Sequence, residues 1–173
     1  KRQTLNYLAQ DRPDIAVAVM RVCRDMAAPT PAAMRRLKRI GRYLRHKPRA
    51  AARYKWQSPQ VSLECMSDSD WAGDKETRRS TSGGALMIGN HFSKGWSRTQ
   101  NHVTTGSAEA ELVAMVKGSA ELLGLRSMMM DWRGDSSGVI YADSSVSLAI
   151  AKREGAGKLR HINVSSLWVQ DRQ

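Results

Sequence analysis

The chain has 173 residues and a formal net charge of +12, a length that suits one substantial domain or a domain with an appendage. No apolar run approaches the roughly 18 residues of a membrane span, and no signal-peptide pattern opens the chain. Its two cysteines, Cys23 and Cys65, match no zinc-ligand spacing. Composition therefore argues against a membrane protein or a zinc domain and favours an intracellular protein with reduced thiols.

The positive charge is concentrated in the first third of the chain. Residues 1–60 contain 15 Lys/Arg and 3 Asp/Glu, whereas residues 61–173 contain 13 of each. This asymmetry predicts two parts, a basic segment over 1–60 and a neutral domain over 61–173, and a polyanionic partner such as nucleic acid. A basic surface that serves only solubility is the alternative.

Two helices are predicted in the basic segment. Pro13 and Thr30-Pro31 are typical helix starts. The expected buried stripes are Ile15, Ala18, Val19, Val22 and Met26 in the first helix, and Met34, Leu37, Ile40, Gly41 and Leu44 in the second. The opposite face of the second helix is cationic and contains Arg35, Arg36, Lys38, Arg39, Arg42, Arg45 and His46. That helix has no acid to pair with them, which favours phosphate contact; a solvated face or protein docking stays open. One strand is predicted over 53–56.

Three antiparallel strands are predicted next, over residues 61–68, 83–88 and 91–98, with Gly89-Asn90 as the hairpin turn between the last two. A long helix then begins at Ser107, which we expect to cap it, and a fourth strand covers 139–143. Ser144-Ser145 starts another helix, and a last apolar-periodic run follows His161. The order β-β-β-α-β-α predicts an α/β mixed sheet with helices on its faces, in which the crossover makes the fourth strand parallel to an earlier one.

Three carboxylates occupy informative places in this scheme. Asp68 ends the first strand, Glu111 lies in the first turns of the long helix and precedes its apolar stripe, and Asp143 ends the fourth strand. If the fourth strand lies beside the first, all three meet at one edge of the sheet. Clustered carboxylates repel one another unless a divalent cation neutralises them, and such ligands favour Mg²⁺ or Mn²⁺. Two such ions are the recurring device of phosphodiester hydrolysis.

Several motifs, in this order, resemble the ribonuclease H domain of copia-type retrotransposon Pol polyproteins. They are residues 67–74 (SDSDWAGD), 77–83 (TRRSTSG), 107–112 (SAEAEL), 141–145 (YADSS) and 158–162 (KLRHI). Ahead of them, residues 5–9, 12–19 and 37–44 resemble the segment that joins the reverse transcriptase to that domain. The resemblance covers essentially the whole chain.

The resemblance implies an endonuclease that cuts the RNA strand of RNA–DNA hybrids with two Mg²⁺ ions, for which Mn²⁺ can substitute. Asp68, Glu111 and Asp143 match three of the four family carboxylates, and Asp70 is a less favoured metal ligand. Arg78 and Arg79 follow the metal edge and could touch phosphate, as could Arg35, Arg36, Arg39 and Arg42. The implied partners are the hybrid and the upstream reverse transcriptase, with no membrane, and the implied location is a cytoplasmic particle or the nucleus.

Two further expectations qualify this interpretation. The chain opens without methionine and stops in a helical pattern, so we expect a piece of a longer protein that lacks the domain's C-terminal strand, its last helix and the fourth carboxylate. We therefore expect weak or no turnover from this piece. A non-catalytic nucleic-acid-binding remnant is the main alternative; an integrase or transposase domain is less favoured, because its carboxylate order is usually Asp, Asp, Glu.

Overall fold

The computed structural model describes residues 2–59, 62–134, 136–153 and 168–170. The chain forms two compact units, Lys1–Lys55 and Trp56–Gln173. The predicted last run after His161, including the 158–162 motif, lies almost entirely outside the described residues. In the described residues, no helix is long and apolar enough to cross a membrane.

The first unit consists of three helices: α1 (Arg2–Asp11), α2 (Pro13–Arg24) and α3 (Pro31–His46). The two predicted helices are confirmed, and α1 precedes them. Proline stands at the start of both α2 and α3, and the Thr30 side chain accepts a hydrogen bond from the Ala33 amide (3.1 Å), capping α3.

Its core is narrower than the sequence predicts. Ile15, Val19, Val22 and Ile40 are buried and form one cluster, with Leu37 and Leu44 packed against it. The other predicted stripe positions are exposed, namely Ala18, Met26, Met34 and Gly41. Within this unit α3 packs against other helices on one side only. Only the residues along that one line of the helix surface are therefore buried.

A buried arginine links the α1–α2 junction to the end of α3. Arg12 is 6% exposed and donates two hydrogen bonds to the Asp14 carboxylate (2.8 and 2.9 Å). Its guanidinium also reaches the carbonyls of Lys47 (3.1 Å) and Pro48 (3.4 Å), and Tyr43 donates to Asp14 (2.7 Å). The positive charge thus stabilises the C-terminal end of α3, where carbonyls are unpaired.

The predicted strand over 53–56 is wrong, because residues 51–58 have no regular secondary structure. Alternation of side chains alone does not form a strand without a neighbouring strand to pair with. Gln57, which belongs to the second unit, donates from its side chain to the carbonyl of Ile88 (2.9 Å) in the sheet.

The second unit is a four-stranded mixed sheet, in the order β3-β2-β1-β4. Its strands are β1 (Leu63–Asp70), β2 (Thr81–Ile88), β3 (His91–Thr99) and β4 (Gly138–Ala142), and its helices are α4 (Ser107–Arg133) and α5 (Ser145–Ala151). Strands β1, β2 and β3 pair antiparallel and β4 pairs parallel with β1. The predicted ribonuclease H-like sheet, with three antiparallel strands, a parallel fourth and flanking helices, is confirmed.

Helix α4 packs directly on β1. Buried Leu63 and Cys65 of β1 meet Leu122 of α4 in one cluster, and Ile140 of β4 joins this cluster to a second one formed by α4 and α5. At Gly118 the helix comes so close that a methyl group there would lie 2.9 Å from the Cys65 sulfur. This close approach fixes the height of α4 above the sheet, and with it the position of the helix start.

Candidate metal centre

Asp68, Glu111 and Asp143 converge at one edge of the second unit. Each offers one carboxylate oxygen, and the three oxygens lie within 4.8 Å of one another. In the described part of the chain, these three side chains form the one group of acidic, histidine or cysteine residues whose geometry suits a metal ion. The three residues come from β1, α4 and the end of β4.

The parallel pairing of β1 and β4 explains why the two aspartates meet. Ser67 pairs with Ala142 in the last register position of the two strands. The next residues, Asp68 and Asp143, therefore emerge side by side at the carboxyl end of this strand pair. The sequence predicted this meeting on the condition that β4 lies beside β1, and that condition holds.

Glu111 reaches the same place from the first turns of α4 and is held there by β1. It is 9% exposed, and its Oε1 accepts hydrogen bonds from the Ser69 amide (3.2 Å) and the Ser69 hydroxyl (2.8 Å). The carboxylate is therefore oriented by the protein itself, without help from a ligand. Ser69 was not predicted from the sequence. Its one signal there is a small hydroxyl residue directly after Asp68, on a strand that faces a helix.

The environment of Glu111 disfavours its charge. Burial raises the pKa of Glu111, the hydrogen bonds from Ser69 oppose that rise, and the negative charges of Asp143 and Asp68 add to it. A divalent cation would favour the charged form of Glu111, because all three carboxylates would then be attracted to the ion and would no longer only repel one another. Perturbation by burial and by like charges is typical of functional sites.

The residues fit a hard divalent cation. The donor set is entirely carboxylate oxygen, which suits Mg²⁺ or Mn²⁺ better than zinc or copper, since those prefer nitrogen and sulfur. Asp68 and Asp143 are exposed, so water and a phosphate could complete the coordination shell. These three residues would hold the ion.

Helix α4 begins at Ser107, as predicted, but its cap is another residue. Gly106 is the N-cap and no side chain caps it, so the expectation that Ser107 caps the helix is wrong. Glu109 instead ties the residue before the cap to the first turn, because its Oε2 accepts from the Thr105 amide (2.6 Å) and hydroxyl (2.8 Å). The buried Gln100 amide adds a bond to the Ala110 carbonyl (2.9 Å). These contacts fix the turn from which Glu111 projects.

Asp70 is close to Asp68 in sequence, but its side chain makes other contacts. Its carboxylate accepts a hydrogen bond from the Thr81 amide and lies against Gly73, where a Cβ would collide with its Oδ2. Asp70 thus organises the turn between β1 and β2. It does not belong to the group whose oxygens come within metal-binding distance.

Arg78 and Arg79 are exposed on that same turn, beyond the β1–β2 edge. Arg78 has a φ of +58°, and the Arg78 amide donates to the Asp74 carbonyl (2.8 Å). The turn is further ordered by Asp74, whose Oδ1 accepts from the amides of Glu76 and Thr77. Both guanidiniums are therefore presented to solvent from a fixed backbone.

The predicted cationic residues of α3 do not all share one environment. Arg35, Arg39 and Arg42 are exposed, whereas Arg36 pairs with Asp25 (2.9 Å). Arg36 and Arg39 line a groove between α2 and α3 together with Arg21, a residue that the sequence analysis did not select. Arg21 belongs to α2, and only the packing of the two helices brings it to this place.

Comparison with known proteins gives relatives at the level of sequence. No protein-family model matches the chain, and no solved structure matches it significantly. The retrovirus-related Pol polyprotein from transposon RE1 of Arabidopsis thaliana is 33% identical over 171 residues, covering 97% of this chain. The corresponding polyprotein from transposon RE2 of the same plant is 36% identical over 143 residues, or 82% of the chain. An uncharacterized mitochondrial protein of A. thaliana is 36% identical over 118 residues.

The chain spans 12% of the RE1 polyprotein, 10% of the RE2 polyprotein and 49% of the mitochondrial protein. The similarity to the two polyproteins runs through both the basic segment and the sheet domain, as the coverage of this chain requires. The chain belongs to the retrovirus-related Pol polyproteins of copia-type transposons.

Proposed function

We propose that the second unit is the ribonuclease H part of a retrotransposon Pol polyprotein, and that it hydrolyses the RNA strand of RNA–DNA hybrids. The observation that carries the proposal is the convergence of Asp68, Glu111 and Asp143, with oxygens within 4.8 Å, on a sheet of ribonuclease H-like order. Membership of a Pol polyprotein family supplies the setting in which RNA–DNA hybrids are formed. We expect it to act inside the cell, in a cytoplasmic particle or the nucleus.

The proposed cofactor is Mg²⁺, as two ions, with Mn²⁺ as a substitute. Bound divalent cations supply an activated water and neutralise the charge that develops on the scissile phosphate. Asp68 is central in the proposal, since its strand β1 both pairs with β4, which leads to Asp143, and holds Glu111 through Ser69. Glu111 is oriented in advance by Ser69 and is largely buried. Asp143 is exposed and free to adjust to substrate.

The hybrid would be held by cationic side chains outside the metal centre. Arg78 and Arg79 extend from the turn that follows β1, and the arginines of α3 belong to the first unit. Such contacts would go to phosphates and give affinity that depends on salt and not on base sequence. The upstream reverse transcriptase of the same polyprotein is the proposed covalent neighbour.

The proposal is tested by cleavage of an end-labelled RNA–DNA hybrid in Mg²⁺ and in Mn²⁺, both for this chain and for a polyprotein version that carries further sequence on its C-terminal side. Asp68→Asn should abolish cutting, and Asp131→Asn, which removes an exposed acid at the other end of α4, should leave it unchanged. Cutting by the Asp68→Asn variant at the unaltered rate would refute the assignment.

A second candidate, a nucleic-acid-binding module without turnover, is favoured by the exposed arginines of α3. It predicts hybrid binding that weakens with salt and ignores divalent cations. Binding of this kind without cutting, in both versions of the protein, would favour that candidate over the nuclease.

A further inference from the structure

A groove lies between α2 and α3 in the first unit. Its volume is about 550 Å³, within the range of small-ligand sites. Four of the residues that line it are apolar, namely Ile15, Val17, Ala18 and Ile40, and they are called the floor of the groove below. Val17 is 51% exposed although it is a large aliphatic residue, so this floor is open to a ligand.

Three guanidiniums surround this floor, from Arg21 on α2 and from Arg36 and Arg39 on α3. Arg36 is held by Asp25 (2.9 Å), whereas Arg21 and Arg39 make no ion pair or side-chain hydrogen bond in the described part of the chain. The acid in the groove, Asp14, is already neutralised by Arg12 (2.8 Å). The groove therefore has an uncompensated positive charge.

An aromatic ring, that of Tyr43, also lines the groove. The hydroxyl of Tyr43 donates to Asp14 (2.7 Å), and the ring is 39% exposed. A tyrosine that is tethered through its hydroxyl offers its ring face with little loss of side-chain entropy on binding. A planar group could lie against this ring while its charged part meets the arginines.

We propose that the α2–α3 groove binds one nucleotide of single-stranded nucleic acid, with its phosphate on Arg21 and Arg39 and its base against Tyr43 and the apolar floor. A duplex presents phosphates on a convex surface and has its bases stacked inside, so it would contact the arginines but leave the apolar recess unfilled. Stacking of unpaired bases next to a cationic track is the usual way in which single strands are bound. This inference rests on the nucleic-acid part of the proposed function and not on the metal centre.

The test is fluorescence anisotropy of a labelled 12-nucleotide strand, as RNA and as DNA, and of a 12-base-pair duplex, with the full chain in EDTA. Arg21→Ala and Arg39→Ala are compared with Arg35→Ala and Arg42→Ala, which remove the same charge from exposed positions outside the groove. We expect the groove variants to lose about tenfold in single-strand affinity and the control variants about twofold. Duplex affinity should fall by a similar small factor in all four.

A second variant keeps the charge and fills the recess. Ala18→Leu places a larger apolar side chain on the exposed floor of the groove, and we expect it to weaken single-strand binding while duplex binding stays unchanged. Circular dichroism of each variant checks that the helices are intact.

Equal losses in all four arginine variants would overturn the inference, since the groove would then act only through its charge. Failure of the strand to bind the unaltered chain would overturn it as well. So would an acidic peptide that displaces the strand equally well from the unaltered protein and from Ala18→Leu. Because all binding is measured without metal, loss of this site leaves the nuclease proposal standing, and failure of hybrid cutting leaves this site standing.

Discussion

The two glycines of α4 provide a matched test of how closely this helix approaches the sheet. Gly118 and Gly124 are both in the helix interior. A Cβ at Gly118 would lie 2.9 Å from the Cys65 sulfur, 3.1 Å from Cδ1 of Ile140 and 3.3 Å from Cβ of Ser67, whereas nothing lies within 4 Å of one at Gly124. We therefore substitute alanine at each.

The intrinsic gain in helix propensity is the same for both changes, about 1 kcal/mol in the free energy of unfolding. Gly124→Ala should keep this gain. Gly118→Ala should lose it to overpacking, because ordinary carbon contacts lie at about 3.5–4.0 Å and forced overpacking costs about 1–3 kcal/mol. The difference between the two variants cancels the propensity term, and we expect it to be about 1–3 kcal/mol, with Gly118→Ala the less stable.

The assay is urea unfolding followed by tryptophan fluorescence. All five tryptophans belong to residues 56–173, so the signal reports the second unit alone. Cys65→Ala removes the nearest clashing atom, and combining it with Gly118→Ala should recover about 1 kcal/mol relative to the sum of the single changes. Equal stabilities of the two glycine variants would refute the close approach of α4 to β1.

The change at Gly118 also bears on the metal centre. Glu111 lies two turns before Gly118 in α4, and its carboxylate accepts hydrogen bonds from Ser69 of β1. If α4 is lifted from β1, this pair separates, so Gly118→Ala should weaken Mn²⁺ binding while Gly124→Ala should not. Unchanged Mn²⁺ affinity in a destabilised Gly118→Ala variant would show that the helix height does not position Glu111.

Three further predictions concern titratable groups. Glu111→Gln should raise the stability of the metal-free protein at neutral pH, because burial and the charges of Asp143 and Asp68 raise the pKa of Glu111. In urea melts this gain should shrink as pH falls toward about 4 and vanish below it, where the acid is neutral in the folded and the unfolded protein alike. The hydrogen bonds from Arg12 lower the pKa of Asp14 to about 2, so the charged Asp14 stabilises the first unit at every pH above its ordinary pKa. This contribution to the free energy of unfolding is about 1 kcal/mol after allowance for solvent exposure, and it should be lost as pH falls from 4 to 2. Far-UV circular dichroism during acid titration should show it, and an unshifted Asp14→Asn titration would contradict it. Burial raises the pKa of Cys65 to about 11, so iodoacetamide should label half-buried Cys23 and should not label Cys65 until the sheet unfolds. Labelling of both cysteines at the same rate would contradict the burial of Cys65.

The sequence predicted the strands well because each has a local signal. Alternating apolar residues and the Gly89-Asn90 turn locate β1 to β3 within about two residues, and the order of elements restricts β4 to a parallel place. The cap of α4 was less predictable, since the N-cap is Gly106 and not Ser107, and the side-chain bond at this helix start joins Thr105 to Glu109.

The carboxylates of the site were predictable, and the groups that orient them were not. Asp68 and Asp143 each end a predicted strand, so topology alone brings them together. Ser69 acts on Glu111 across 42 residues of chain, and such a bond has no periodic signature. The same reason explains why Arg21 escaped notice, since its partners lie on another helix.

The metal centre is tested by Mn²⁺ binding to this chain, counted by electron paramagnetic resonance of the free ion, and by displacement of the Mn²⁺ with Mg²⁺. We expect saturable binding that Mg²⁺ displaces, that Asp68→Asn and Glu111→Gln remove, and that Asp131→Asn preserves. Binding that survives Asp68→Asn, or no binding by the unaltered chain, would contradict the assignment of Asp68, Glu111 and Asp143 as a divalent metal centre.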